Sequence, residues 1–213
     1  LGCGICSGLQ FNGTGWTQLG LDIDGEAAGD YSGYSVSLSS DGSVLAVGAR
    51  YNDSNGRCDA GHVRVYKFNG TGWIQLGLDI DGEAADDHSG FSVSLSSDGK
   101  VLAVGARYND GRGSNAGHVR VYNYTGTGWT QLGSDIDGEA KDDWSGFSIS
   151  LSSDGKVLFS AIKRKGDNLE LTGKPPFAVR LGFARGAQVS YNGQAVDVAP
   201  FTSGETARLK LGQ

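Results

Sequence analysis

The sequence predicts an all-β protein made of repeated four-stranded units, followed by a small β-domain of different character. Three observations carry that expectation. A block of about 57 residues occurs twice in full and a third time in part, and a repeat fixes the architecture before any single residue is read. Within the block, apolar residues recur at every second position, the period of a strand. The 213 residues include 36 glycines and three prolines, and 38% of them are hydrophobic, a composition of tight turns around a core and not of disorder.

The repeats are in register. WTQLGLDIDGEA begins at Trp16, WIQLGLDIDGEA at Trp73 and WTQLGSDIDGEA at Trp129. SGYSVSLSSDGSVLAVGARYND runs from Ser32 to Asp53, SGFSVSLSSDGKVLAVGARYND from Ser89 to Asp110, and SGFSISLSSDGKVLFS from Ser145 to Ser160. GHVRVYKFNGTGW from Gly61 and GHVRVYNYTGTGW from Gly117 close the two full units. The tryptophans are 57 and then 56 residues apart, and the lost residue falls between Asn52–His62 and Asn109–His118. A length change confined to one place marks a surface loop.

Each element follows in order. Asn12-Gly13 is a hairpin turn ahead of Trp16, so residues 1–15 hold the last strand of a preceding repeat. Tyr34, Val36 and Leu38 alternate with Ser35, Ser37 and Ser39, the pattern of a strand with one face buried and one face wet. Phe91, Val93 and Leu95 repeat it. Val44–Val47 is a continuous apolar run between Asp41-Gly42 and Gly48, expected of a central strand covered on both faces. Val63 and Val65 alternate with His62 and Arg64, and Asn69-Gly70 turns the chain into a fourth strand through Trp73 and Leu76. Four strands joined by glycine-rich turns make one propeller blade. The expected organisation is 1–15, the tail of a preceding repeat; 16–72, repeat 1; 73–128, repeat 2; 129–156, a partial repeat 3; and 157–213, a separate β-domain. Propellers close with about four to eight blades, and fewer than three are present, so this array is incomplete. Its open blade edges make self-association an expectation.

Charge marks the same boundary. Residues 1–150 carry nine Lys/Arg against 19 Asp/Glu, whereas 151–213 carry nine against five. The acidic part excludes nucleic-acid binding there, because phosphate contacts need clustered Lys/Arg. No apolar run approaches a membrane span and no basic segment followed by an apolar stretch opens the chain. Methionine is absent even at position 1, as expected of a processed product or a piece of something longer. Cys3 and Cys6 form a CxxC compatible with half a zinc site, a redox pair or a local disulfide, and Cys58 reads as incidental.

The strongest chemical candidate is the acidic loop DIDGEAxxD. It places Asp22, Asp24, Glu26 and Asp30 together, with Asp79, Asp81, Glu83 and Asp87 and then Asp135, Asp137, Glu139 and Asp143 as equivalents. Oxygen ligands at alternate positions around a glycine resemble the first half of a calcium loop. The competing reading is a soluble inter-strand turn, with Asp-Gly as the turn pair and acids that discourage edge pairing. Calcium is thus a possible ligand and no other cofactor is expected. His62 and His118 are equivalent, while His88 stands where Tyr31 and Trp144 stand in the other copies; residues present once per blade read as structural. No catalytic triad or carboxylate pair can be nominated. Trp16, Trp73 and Trp129, with Tyr66 and Tyr122, are candidates for a glycan-binding surface, but recurring packing residues are the better reading. Asn12, Asn52, Asn69 and Asn123 head formal glycosylation sequons.

SGFSVSLSSDGKVLAVGA, a Gly- and Asp-rich loop and then AGHVRVY resemble the FG-GAP repeat of integrin-α-type β-propellers, over about residues 10–158. Calcium-binding members of that family carry a DxDxDG-like run after the first strand, where this chain has Ser40-Asp41-Gly42 and Ser97-Asp98-Gly99. From Asp154 the chain resembles the C-terminal extracytoplasmic domain of RodZ-type cell-shape proteins, through LTGKPPF at Leu171, YNG at Tyr191, VDVAPF at Val196 and TARLKL at Thr206. That family's helix-turn-helix and transmembrane helix have no counterpart here. SSDGKVL fits both the end of repeat 3 and the opening of the tail; either one strand serves both modules or two sequences have been joined. The resemblances imply a non-enzymatic, extracytoplasmic binding or adhesion module that presents loops such as Tyr51–Gly61 and Tyr108–Gly117 to a protein or glycan. The alternatives are a structural part of the bacterial envelope machinery acting through residues 157–213, and a calcium-dependent adhesin.

Overall fold

The computed structural model describes residues 5–152, 157–160, 177–181, 188–203 and 206–211. Cys3 and most of the LTGKPPF stretch lie outside them. The chain divides into two compact units, Leu1–Ile162 and Lys163–Gln213. Among the described residues the secondary structure is strand, with two short 3-10 turns at Ser54–Gly56 and Ala199–Phe201, so the protein is all-β, as the periodicity predicts.

The first unit opens with β1 (Ile5–Cys6), β2 (Leu9–Phe11), β3 (Trp16–Gln18) and β4 (Ile23–Asp24), in which β2 pairs β3 and β1 pairs β4. Repeat 1 and the opening of repeat 2 then supply one sheet: β5 (Ser32–Leu38), β6 (Val44–Ala49), β7 (His62–Phe68), β8 (Trp73–Gln75) and β9 (Ile80–Asp81). The antiparallel order is β5-β6-β7-β8, and β9 also pairs β7. The fourth strand is therefore broken: β8 lies against Tyr66–Phe68 and β9 against His62–Val63. Repeat 2 and the opening of repeat 3 reproduce the sheet with β10 (Ser92–Leu95), β11 (Val101–Ala106), β12 (His118–Tyr124), β13 (Trp129–Gln131) and β14 (Ile136–Asp137). β15 (Ser148–Leu151) and β16 (Val157–Ser160) form the antiparallel start of a third.

Every residue of β6 is buried, as expected of a central strand. The serine-bearing strands differ from expectation. In β10, Val93 and Leu95 are buried, but the alternate serines are half-buried and not wet. In β5 the apolar residues are the exposed set, with Val36 and Leu38 both 56% exposed. The cause is that the serine face is the joint between blades. Ser35 Oγ donates to the Gly90 carbonyl at 2.7 Å, and Ser92 Oγ to Gly146 at 2.7 Å. The core is consequently made between sheets: Val44, Ala46, Val63 and Val65 of repeat 1 pack on Val93, Leu95, Leu102 and Val104 of repeat 2. Ala103, Val119 and Val121 offer the same surface to Ile149 and Leu151.

Close approach at these joints needs glycine. Gly90 has φ +79°, and a Cβ on Gly48 would collide with the Gly90 carbonyl. The tryptophans fasten the outer strands: Trp73 Nε1 donates to the Leu19 carbonyl and Trp129 Nε1 to that of Leu76, each at 2.9 Å. Trp16 alone of these three is largely exposed. Packing thus accounts for Trp73 and Trp129.

In the second unit β17 (Phe177–Leu181), β21 (Thr206–Leu211) and β20 (Thr202–Ser203) form one sheet in the order β17-β21-β20. β18 (Val189–Tyr191) and β19 (Gln194–Val196) form a hairpin turned by Asn192-Gly193, both at positive φ.

Candidate functional site

The acidic loops follow β4, β9 and β14, and their four acids do four different things. The first anchors the turn: Asp22 accepts from Ser7 Oγ and Gln18 Nε2, Asp79 from Gln75 Nε2, and Asp135 from Gln131 Nε2. The second faces the β6–β7 or β11–β12 connection: Asp81 accepts from Asn55 Nδ2 at 2.6 Å and Asp137 from Arg112 Nε at 3.3 Å, while Asp24 is exposed. The fourth is buried and closes the loop on itself or on an asparagine. Asp30 accepts from Asn52 Nδ2 at 2.7 Å, Asp87 from Asn109 Nδ2 at 3.0 Å, and Asp143 from the Glu139 and Ala140 amides. Burial pushes the Asp87 carboxyl above the ordinary range.

The third acid reaches across the joint. Glu26 pairs with Arg64 and Glu83 with Arg120. Arg64 Nε also binds Asp79 at 3.1 Å, and Arg120 Nη2 binds Asp135 at 2.7 Å. Beside each arginine stands a buried histidine. His62 Nδ1 is 3.7 Å from both Glu26 and Asp79, and His118 Nδ1 is 3.7 Å from both Glu83 and Asp135. The convergent acids thus come from two successive loops, the glutamate of one repeat meeting the first aspartate of the next. The spacing within one loop does not reveal this; the shared strand register of His62, Arg64 and their copies does.

Electrostatics at the joints follow from burial and pairing. Loss of solvent lowers the pKa of His62 and of His118, against the pull of the acids around them. Burial works against the charge of Arg120, but its hydrogen bonds to Asp135 and Glu83 outweigh that and hold it firmly protonated. The hydrogen bond from Arg120 keeps Asp135 below the usual carboxylate range. At the first joint these groups border a cleft of about 450 Å³ lined by Glu26, Asp30, Asn52, His62, Asp79 and Asp81.

Asn52 is buried and bonded to Asp30, so its sequon is not presented as a surface acceptor. Cys6 and Cys58 carry free thiols. His88, by contrast with His62, sits in an aromatic row: Tyr31 to Tyr51, Tyr51 to His88 and His88 to Tyr108 are 5.2, 4.7 and 4.9 Å between ring centres. Arg50 lies 3.9 Å from the Tyr34 ring and Arg107 lies 4.0 Å from that of Phe91.

Comparison with known proteins matches this architecture. The family model described as "FG-GAP repeat" matches residues 22–66 and 79–122, and the model described as "RodZ C-terminal domain" matches residues 149–210. A solved structure described as "Complex of KlAtg21 with coiled-coil of AgAtg16" aligns at 12% identity and TM-score 0.41, over 59% of this chain and 36% of that one. The chain spans little more than a third of that chain's length, and at this score the likeness carries no argument. Among the described residues no helix is long and apolar enough to cross a membrane. The family models thus match two FG-GAP repeats followed by a RodZ C-terminal domain, in that order along the chain.

Proposed function

We propose that this is a non-catalytic, extracytoplasmic binding or adhesion module that presents the β6–β7 and β11–β12 connections to a protein or glycan. One observation carries the reading. Both connections are exposed at their tips and fixed at their feet. Asp53, Asn55, Arg57 and Cys58 are exposed, whereas Asn52 and Ser54 are buried, with Ser54 Oγ bonded to Asn52 Oδ1 at 2.7 Å. In the second copy Asp110, Gly111 and Arg112 are exposed above a buried Asn109, and the Asn115 amide is held by Asp110 at 2.7 Å. A recognition surface made of loops on a rigid frame costs little ordering entropy on binding.

The test is to replace the exposed residues 55–58 and 111–112 with Gly/Ser segments of equal length. Parent and variant are then compared for binding to a panel of envelope polysaccharides and surface proteins. The expected result is a ligand bound by the parent and lost by a variant whose thermal melt is unchanged. A ligand held equally by both would overturn the reading. The calcium-dependent form of this adhesion adds stabilisation by calcium on heating, and indifference of the melt to a chelator would remove it.

The RodZ C-terminal match over residues 149–210 supports a second reading, a structural role in the cell envelope carried by that part of the chain. It predicts an envelope partner whose capture survives the double loop replacement and is lost on charge reversal of the tail.

A further inference from the structure

We propose that each joint between successive repeats is a binding site for a zinc-like first-row transition-metal ion, held by Glu26, His62 and Asp79 at the first joint and by Glu83, His118 and Asp135 at the second. This differs from a calcium loop in its ligands, which come from two repeats and include an imidazole.

The geometry is specific. In each triad one ligand atom per residue lies within 4.8 Å of the others. The 3.7 Å separations from the histidine Nδ1 to the two carboxylates are too long for hydrogen bonds. They are close to the roughly 3.3 Å between neighbours around a tetrahedral ion whose ligands sit at about 2.0 Å. His118 Nδ1 is buried with no hydrogen-bond partner, in a side chain 4% exposed, and it points at both acids. A buried nitrogen left without a partner is costly, and a metal would supply one.

Arg64 takes Glu26 Oε1 and Arg120 takes Glu83 Oε2, while the glutamate oxygens that face the histidines also accept from Asn52 Nδ2 at 3.3 Å and Asn109 Nδ2 at 2.8 Å. The aspartate oxygens that face them, Asp79 Oδ2 and Asp135 Oδ2, also bind the arginines; each oxygen keeps a second lone pair for an ion. The guanidinium therefore orients the glutamate from behind, as outer partners of ligating carboxylates do. At the first joint the cleft is lined by Glu26, Asp30, Asp53, Asp79, Asp81 and His62, and Arg64 is bonded to both Glu26 and Asp79 at its edge, so the acids outnumber the one cation. Imidazole beside carboxylate selects zinc-like ions over calcium or magnesium. The register limits the count: Ile5 pairs with Asp24 where His62 pairs with Asp81, so the joint ahead of repeat 1 lacks the imidazole. Two ions per chain would tie successive loops together and stiffen the array.

The experiment uses the full chain with Cys3→Ser and Cys6→Ser, which removes the CxxC as a rival zinc ligand. Metal-depleted protein is titrated with Zn²⁺ by calorimetry, and the expected stoichiometry is two. It falls to one in His62→Gln and in His118→Gln, and to none in the double variant. Because those variants could unfold, ring nitrogen NMR of the parent provides an independent reading: two of the three histidines shift with Zn²⁺ and His88 does not. No binding, a stoichiometry unchanged in a folded double variant, a shift at His88 alone, or displacement of zinc by equimolar Ca²⁺ would each overturn the proposal.

Discussion

Ser37 Oγ accepts the backbone N–H of Leu95 at 2.9 Å, across the joint between neighbouring blades, and Ser94 does the same for Leu151 at 2.9 Å. Leu95 belongs to β10, the edge strand of its sheet. The serine thus satisfies an edge donor that would otherwise await another strand. Polar residues in a strand that looks half-wet are here the adhesive between repeats.

Removal of that hydroxyl should be felt. Ser37→Ala and Ser94→Ala each leave a partly buried amide without its acceptor and should cost about 1 kcal/mol. The two sites are one repeat apart, so the double variant should lose the sum. Urea unfolding checks this; a double variant no weaker than either single one would show that the serines do not hold the joints.

Most of the fold was legible in the sequence, and for a physical reason: a repeat in register repeats its burial pattern. The β6 strand, the Asn-Gly hairpins and the variable connection could be read from Val44–Val47, Asn69-Gly70 and the one-residue length change. What could not be read was the role of Ser35 and Ser37, because period-two alternation fixes which residues share a face and not what that face meets. The convergence of Glu26 with Asp79 was hidden for a similar reason. Reading the acids loop by loop grouped Asp22, Asp24, Glu26 and Asp30, whereas the fold points them at Ser7, solvent, Arg64 and Asn52 in turn.

Glycine at the joints is a steric requirement. A Cβ on Gly48 would strike the Gly90 carbonyl, and one on Gly105 the Gly146 carbonyl. Gly48→Ala and Gly105→Ala should therefore destabilise by about 1–3 kcal/mol, the cost of overpacking against backbone that cannot withdraw. Gly128→Ala, where nothing lies within 4 Å, should stay within about 0.5 kcal/mol. Thermal melts of the three variants decide it, and equal effects at all three positions would refute the joint argument.

The turns before β6 and β11 set an acid limit. Asp41 accepts from Ser39 Oγ at 2.6 Å, from the Ser43 amide at 2.9 Å and from Ser43 Oγ at 2.9 Å. These bonds, the Ser39 hydroxyl first, hold its pKa down at about 2. Asp98 is lowered in the same way by Ser96 and the Lys100 amide. An unfolded aspartate titrates near 3.8, so between these values the unfolded chain binds more protons. The contribution is complete above about pH 4 and disappears as pH falls toward 2. Asp41→Asn with Asp98→Asn should flatten the stability profile over that window in acid titration followed by circular dichroism.

His88 sets a limit nearer neutrality. It is buried between Tyr51 and Tyr108, and its pKa is lowered, first by loss of solvent and then by Arg50 and Arg107, against the opposing pull of Asp59 and Asp86. In the unfolded chain it titrates near its ordinary value of about 6.5. Below that pH the unfolded state takes up a proton that the folded state resists, so this site's contribution is whole above about 6.5 and declines as pH falls through the lowered folded value. Tyr31 holds the equivalent place with φ +55°, the same backbone angle as His88, so His88→Tyr should be accommodated. Denaturant midpoints from pH 7.5 to 5 should show a shallower decline in His88→Tyr than in the parent. Parallel profiles would mean that His88 is protonated in the fold without penalty, and that the aromatic row does not exclude its charge.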